Sequence, residues 1–204
     1  MQRALILVVI LGIIGAGVYF WKTQMQTPSE TSLIEETSMQ DDDSQTLKES
    51  TMNPDLSVDE NGLSKATVVI DTAKGPIKFK FYSEDAPNTV DRIVTLINEG
   101  FYNGLNFHRV VPGFVVQGGD PEGNGTGGSG ENLKAEFNKR KHVEGTVAMA
   151  RAQDPDSADS QFYISLGVHP HLDNNYTVFG QVIEGMPVVQ KLEQGDVMEK
   201  VTIE

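Results

Sequence analysis

The stretch Phe107–Asp120 reads FHRVVPGFVVQGGD and limits the possible folds of this chain more than any other segment. Its β-branched and aromatic residues favour a strand, and Pro112-Gly113 interrupts that strand with a turn signal. Arg109 and Gln117 are polar side chains among these apolar neighbours. A sheet face that is apolar but carries a few hydrogen-bonding groups is typical of a ligand groove. An edge strand with a solvated arginine fits this stretch alone equally well.

Four further blocks follow in order along the chain: Asn124–Gly128 (NGTGG), Gly145–Ala150 (GTVAMA), Ser160–Ile164 (SQFYI) and Leu172–Gly180 (LDNNYTVFG). Together with the first stretch they resemble the signature of the cyclophilins, a family of peptidyl-prolyl cis-trans isomerases. Five ordered blocks at family-like spacing are far more specific than any short motif. The resemblance implies an isomerase that acts on proline-containing unfolded or extended polypeptides.

Hydrophobic spacing predicts many short strands and few helices, which indicates an all-β barrel or sandwich. A helix is predicted over Pro87–Glu99, and a second short helix over Met186–Gln194. The predicted strands are Ala66–Asp71, Pro76–Tyr82, Phe101–Gln117 with one break, Val143–Arg151, Ser160–Gly167, Tyr176–Val182 and Val197–Ile203. The resemblance implies a closed eight-stranded antiparallel barrel capped by two short helices, with its site on the outside.

The resemblance also implies which residues act. Arg109 matches the catalytic arginine of the family. Ten residues match substrate-binding positions: Phe114, Val115, Gln117, Ala150, Arg151, Gln161, Tyr163, His171, Leu172 and Tyr176. Among them, Phe114, Val115, Tyr163 and Leu172 are expected to seat the proline ring. Gln117 is expected to bond the substrate backbone, which lies along the strand edge at Ala150 and Arg151.

Five of these positions depart from the residue that is frequent in the family. They are Val115 for methionine, Arg151 for asparagine, Tyr163 for phenylalanine, His171 for tryptophan and Tyr176 for histidine. Several of these departures resemble bacterial-type members. His171 removes an indole that cyclosporin-sensitive members offer, so weak cyclosporin binding is expected.

Isomerisation breaks no bond and transfers no group, so no cofactor or metal is expected. Twisting the amide localises the lone pair of the proline nitrogen, and a guanidinium at that place binds the twisted state more strongly than either planar state. The glycines Gly123, Gly125 and Gly128 match G-x-G-x-x-G, but no strand-turn-helix pattern surrounds them. His169 and His171 have no third ligand at a zinc-like spacing.

Two other functions are compatible with the same residues. In the first, the protein is a binding module whose groove captures proline-containing segments without turnover. In the second, the acidic segment before the domain is the interacting part, and the domain is a passenger. The presence of Arg109 together with Gln117 and Phe114 favours the enzyme.

The start of the chain predicts a membrane anchor. Ala4–Trp21 is a run of eighteen residues without a charge, flanked by Arg3 and Lys22. At helical rise it spans about 27 Å, close to the thickness of the hydrocarbon core. Residues 1–22 are therefore predicted to be a transmembrane signal-anchor, with secretion after cleavage of a signal peptide as the alternative. The basic amino-terminal end predicts a single-pass protein of the cell membrane with its domain on the extracytoplasmic side.

Residues 23–63 hold ten acidic residues and one lysine, a net charge of −9. Such a segment cannot bury enough apolar surface to offset its ordering entropy, so a disordered acidic, Ser/Thr-rich linker is predicted. The whole chain carries a net charge of −13, which argues against nucleic acid as a partner. Residues 64–204 are predicted to form the isomerase domain, which is expected to be a monomer.

Overall fold

The structure is a computed structural model that describes residues 65–204. The predicted anchor at 1–22 and linker at 23–63 lie outside the described residues. Eight strands occur in the described part: β1 Thr67–Asp71, β2 Ile77–Phe81, β3 Arg109–Val111, β4 Val115–Gly118, β5 Thr146–Met149, β6 Phe162–Ser165, β7 Val178–Glu184 and β8 Lys200–Ile203. The α-helices of this part are α1 Pro87–Asn98 and α2 Met186–Val189, and Pro155–Ser157 and Pro170–Leu172 form single 3-10 turns. From residue 65 onwards, no helix has the length and apolar character needed to cross a membrane.

All eight strands belong to one antiparallel sheet with the order β3-β4-β6-β5-β7-β2-β1-β8. The edge strands β3 and β8 do not pair with each other within residues 65–204. An isolated bridge between Asn106 and Val197 links the segments that precede them, and the Phe107 N–H donates to the Asp196 carbonyl at 2.8 Å. The all-β architecture of eight antiparallel strands and two short helices is confirmed. The predicted closed barrel is not: the sheet is a curled half-barrel, because its edge strands do not pair with each other within residues 65–204.

The sheet buries apolar side chains on both of its faces. Neighbouring residues of a strand point to opposite faces, and Phe162 accordingly lies in the main core while Tyr163 lies in a second cluster. The buried members of this outer cluster are Val115, Ala148, Tyr163, Leu172 and Val178. An apolar surface on the outside of the sheet is therefore available to form a site.

Helix α1 follows the prediction closely. Pro87 occupies its first turn, and the apolar residues of its inner face are buried. No side chain of the helix caps the first turn, and the carboxylate of Glu136 accepts the N–H groups of Asn88 and Thr89 at 3.0 and 2.8 Å instead. Burial of each large apolar side chain stabilises this packing by about 1.5–3 kcal/mol.

Some predicted boundaries are wrong. The strand predicted from Phe101 begins only at Arg109, because the intervening residues form turns in which Gly104 has a φ of 83°. Helix α2 ends at Val189 instead of Gln194. The strand predicted at Tyr176–Val182 instead spans Val178–Glu184 as β7, because its pairing with β2 continues to Glu184, which lies opposite Lys78.

Candidate active site

A pocket of about 200 Å³ opens on the outer face of the sheet. Nine of the eleven residues predicted for the site line it: Arg109, Phe114, Val115, Gln117, Ala150, Arg151, Tyr163, Leu172 and Tyr176. The other two lie beside it. Gln161 lines the neighbouring pocket and bonds Gln117, and the ring of His171 stacks on that of Phe114. The structure thus brings all eleven predicted residues together.

The hairpin of β3 and β4 places Arg109 at the edge of this pocket. The Phe114 N–H donates to the Val111 carbonyl at 3.0 Å, and Gly113 has a φ of 71° in the turn between them. A proline followed by a glycine of positive φ suits such a turn, which explains the Pro112-Gly113 pair. The resulting register sets Arg109 opposite Gln117.

A line of polar side chains runs from Arg109 along the pocket. Arg109 Nη1 donates to Gln117 Oε1 at 3.2 Å, Gln117 Nε2 donates to Gln161 Oε1 at 2.9 Å, and Gln161 Nε2 donates to the Gly127 carbonyl at 2.8 Å. The guanidinium carbon of Arg109 lies 5.7 Å from the centroid of the Phe114 ring. In the described part of the chain, no carboxylate lies within 4.0 Å of it. Arg109 is therefore an exposed cation that pairs with no carboxylate of residues 65–204.

Two histidines hold the Phe114 ring. The ring of His169 meets it edge-on at a centroid distance of 4.9 Å, and His169 Nε2 lies 2.9 Å from the Phe114 carbonyl oxygen. His171 stacks nearly parallel to Phe114, at 5.9 Å and 18°. The sequence predicts no metal site at His169 and assigns it no other role, whereas the structure places it behind the pocket as a support for Phe114.

Tyr163 is supported by a buried hydrogen-bond chain that sequence reasoning missed. Its hydroxyl oxygen lies 2.8 Å from His142 Nε2, and His142 Nδ1 lies 3.2 Å from Asp173 Oδ1. Lys141 Nζ pairs with the other oxygen of Asp173 at 3.1 Å. Burial raises the pKa of Tyr163, and burial lowers the pKa of His142 although Asp173 opposes this shift. Both groups are therefore neutral at neutral pH.

Arg151 forms the opposite part of the lining and is fixed by backbone carbonyls. Its Nε and Nη2 donate to the Asn175 carbonyl at 3.1 and 3.0 Å, and its Nη1 donates to the Ala152 carbonyl at 2.9 Å. The guanidinium lies 4.8 Å from the centroid of Tyr176. Arg151 also lines a neighbouring pocket of about 430 Å³, which shares Gln117 and Ala150 with the first pocket. The two pockets therefore form one groove.

The glycine-rich loop forms the far wall of this groove. Burial of the Asp120 carboxylate opposes its ionisation, but the N–H groups of Glu122, Gly125 and Asn124 donate to it and hold its pKa below the usual range. Among the described residues, the element that comes next after the G-x-G-x-x-G glycines is strand β5 and not a helix, so the loop lacks the geometry of a dinucleotide site.

An outer groove with an apolar seat and donors for an extended backbone defines a peptide-binding β-domain. The family model described as cyclophilin type peptidyl-prolyl cis-trans isomerase/CLD matches residues 67–204. A peptidyl-prolyl cis-trans isomerase of Helicobacter pylori (strain ATCC 700392 / 26695) is 48% identical over 149 residues, which cover 71% of this chain and 91% of the relative. Peptidyl-prolyl cis-trans isomerase B of Bacillus subtilis (strain 168) is 48% identical over 130 residues, which cover 63% of this chain and 90% of the relative.

Solved structures agree with these relatives. The crystal structure of a cyclophilin type peptidyl-prolyl cis-trans isomerase of Cryptosporidium parvum, determined in the presence of the dipeptide Ala-Pro, has a TM-score of 0.64 and 28% identity. The similarity covers 68% of this chain and 98% of that one. This chain belongs to the cyclophilin family of peptidyl-prolyl cis-trans isomerases.

Proposed function

We propose that this protein isomerises X–Pro bonds in extended polypeptides outside the cytoplasm, and that its amino-terminal segment holds it at the cell membrane. The observation that carries the isomerase is the pocket of about 200 Å³ with the exposed guanidinium of Arg109 at its edge. The Cryptosporidium parvum protein, whose structure was determined with Ala-Pro present, supports proline-containing peptides as the ligand class.

The barrier defines what the site must do. An X–Pro bond prefers trans by about 0.5–1 kcal/mol, but the planar amide sets a barrier of about 18–20 kcal/mol. Acceleration by about 10⁵ requires about 7 kcal/mol of stabilisation that applies to the twisted amide alone. Binding of the two planar states lowers KM without contributing to this figure.

Arg109 supplies the selective part of this stabilisation. When the amide twists by about 90°, its nitrogen regains a lone pair and accepts a hydrogen bond, which the planar amide cannot do. Arg109 stays charged, and its bond to Gln117 Oε1 orients the guanidinium while leaving further N–H groups free. It therefore favours the twisted state over both ground states.

The rest of the groove holds the substrate while the bond rotates. The pyrrolidine ring occupies the apolar seat, which Phe114, Val115, Tyr163 and Leu172 line. Gln117 and the strand edge at Ala150 bond the backbone on the amino-terminal side of the proline. These contacts hold the substrate at the proline ring and along its backbone, and the C–N bond rotates between them without bond cleavage.

The proposed location of the protein at the cell membrane rests on its first 63 residues. The uncharged run Ala4–Trp21 supports a single membrane-spanning anchor, and the acidic segment 23–63 supports a solvated linker of net charge −9. A tethered isomerase would meet polypeptides as they emerge unfolded, when slow proline isomerisation limits their folding. The domain acts as a monomer, since one chain holds every group of the groove.

The test combines location with activity. Intact cells that produce the full chain are first treated with protease from the outside; their membranes are then isolated, washed with carbonate and assayed for isomerisation of an X–Pro peptide. We expect carbonate-resistant activity that external protease removes. A product that leaves the membrane and begins near Val18 would replace the anchor with a cleaved signal peptide. Activity that only disruption of the membrane exposes to protease would refute the extracytoplasmic placement.

A further inference from the structure

We propose that His142 and Asp173 are positioning residues for the isomerase: their hydrogen-bond chain fixes the ring of Tyr163 as a wall of the proline seat and thereby sets substrate affinity. The proposal rests on the proposed function. It assigns a role to two residues outside the eleven of the groove, and it explains why a tyrosine serves at a position where a purely apolar ring would fill the same space.

The Tyr163 hydroxyl depends on His142. Tyr163 is 5% exposed and His142 is 1% exposed, so water does not reach the bond between them. Among the described residues, His142 Nε2 at 2.8 Å is the partner of this hydroxyl. A buried hydroxyl without a partner is costly, so loss of His142 would drive the Tyr163 ring to tilt towards water. That movement would change the wall of the proline seat.

Asp173 sets the direction of this bond. Its Oδ1 accepts the backbone N–H of His142 at 2.8 Å and lies 3.2 Å from His142 Nδ1. A carboxylate accepts hydrogen bonds, so Nδ1 carries the ring proton and Nε2 is left as an acceptor. The Tyr163 O–H therefore donates to Nε2. Lys141 Nζ, at 3.1 Å from Asp173 Oδ2, holds the other oxygen of the carboxylate.

The ring of Tyr163 is also held by its neighbours. The ring of Tyr176 meets it edge-on at 5.8 Å and 83°, and the ring of His142 lies nearly parallel to it at 6.0 Å and 19°. Tyr163 and Tyr176 both line the pocket, whereas His142 lies behind it. The hydrogen-bond chain thus fixes the orientation of a ring that touches substrate, and it makes no contact with Arg109. We expect it to act on KM and to leave the turnover step unaffected.

The same chain predicts a dependence on pH. The groups that face His142 are Asp173 and Lys141 on one side, the rings of Tyr163 and Tyr176 on the other, and the nearby imidazoles of His169 and His171. Protonation of His142 would turn Nε2 into a donor, and Tyr163 would lose its acceptor. Burial lowers the pKa of His142, so KM should be constant above pH 6.5 and rise as the pH falls below that value.

The test is a double-mutant cycle on the full-length chain in detergent, with the variants Tyr163→Phe, His142→Phe and the combination of both; phenylalanine keeps a ring that can stack on Tyr163 and removes the acceptor Nε2. Each single variant should raise KM by about three- to tenfold, the range of one net hydrogen bond, with kcat within about twofold of wild type. The double variant should be no worse than Tyr163→Phe, because His142 acts through the hydroxyl. KM of Tyr163→Phe should also lose its rise below pH 6.5.

A matched control separates this role from stability. Tyr102→Phe removes an equally buried hydroxyl, which donates to the Ser160 carbonyl at 3.0 Å in the other core cluster. It should lower stability and leave KM unchanged. If His142→Phe keeps its full effect on KM in the Tyr163→Phe background, or if both single variants have wild-type KM, the proposal is wrong. A wild-type chain without isomerase activity would instead refute the proposed function.

Discussion

Phe114→Ala removes the aromatic part of the proline seat. The Phe114 ring contacts two imidazoles, at centroid distances of 4.9 Å from His169 and 5.9 Å from His171, so it is held in place before substrate arrives. A pyrrolidine ring on one face of it takes about 50 Å² of apolar surface out of water, worth about 1.3 kcal/mol at 25 cal/mol per Å². We therefore expect peptide affinity to fall by about tenfold.

The assay pairs two measurements on the same preparation: isomerisation of a short X–Pro peptide, and equilibrium binding of that peptide by fluorescence. Because the contact exists in the planar and twisted states alike, KM and Kd should rise together while kcat changes little. Ile183→Ala is the control, since Ile183 is 49% exposed and lies outside the groove. If folded Phe114→Ala binds the peptide as tightly as wild type, proline does not occupy this seat.

Three further predictions concern inhibition, acid stability and domain boundaries. Cyclosporin A should inhibit weakly because His171 offers less apolar area than an indole, and His171→Trp should strengthen inhibition; tight inhibition of the unaltered chain would contradict this. Burial lowers the pKa of His142, so the unfolded chain binds a proton at higher pH than the folded one, and the free energy of unfolding should fall as the pH drops below 6.5. Urea unfolding at pH 7.5 and 5.5 should show a smaller fall for His142→Gln, and an equal fall would exclude His142 as its source. Residues 64–204 alone should fold and match the isomerase rate of the full chain in detergent, and an inactive fragment would place the domain boundary elsewhere.

The sequence predicted the fold well where local pattern determines it. Helical spacing located α1 to within one residue of its observed end. Boundaries were poorer where a turn or a pairing partner decides them, as at Gly104 and in β7. The curvature of the sheet depends on all pairings together, and no single segment specifies it.

The residues of the groove were predicted from the resemblance to the cyclophilins. Strand propensity alone fits Arg109 equally well as a solvated residue of an edge strand. The supports behind the groove were not predictable. His142 and Asp173 are 31 positions apart in sequence and meet only because the fold brings the loop before β5 to the 3-10 turn at Pro170–Leu172. Similarly, the bond of His169 to the Phe114 carbonyl spans 55 positions. Such contacts are tertiary, and a single sequence carries no pairing signal for them.

Arg109→Ala separates transition-state stabilisation from substrate binding, through its effects on kcat/KM and on the Kd of a bound X–Pro peptide. A charged hydrogen bond made only in the transition state is worth about 3–4 kcal/mol, so kcat/KM should fall by about 10²–10³ while Kd stays within about twofold. Arg109→Lys should lose nearly as much, because an ammonium cannot reproduce the planar fork of donors. Arg140→Ala, which removes an arginine paired with Asp85 outside the groove, should behave as wild type. Wild-type turnover in Arg109→Ala, or a loss of peptide binding in step with activity, would contradict the account and leave Arg109 without its catalytic role.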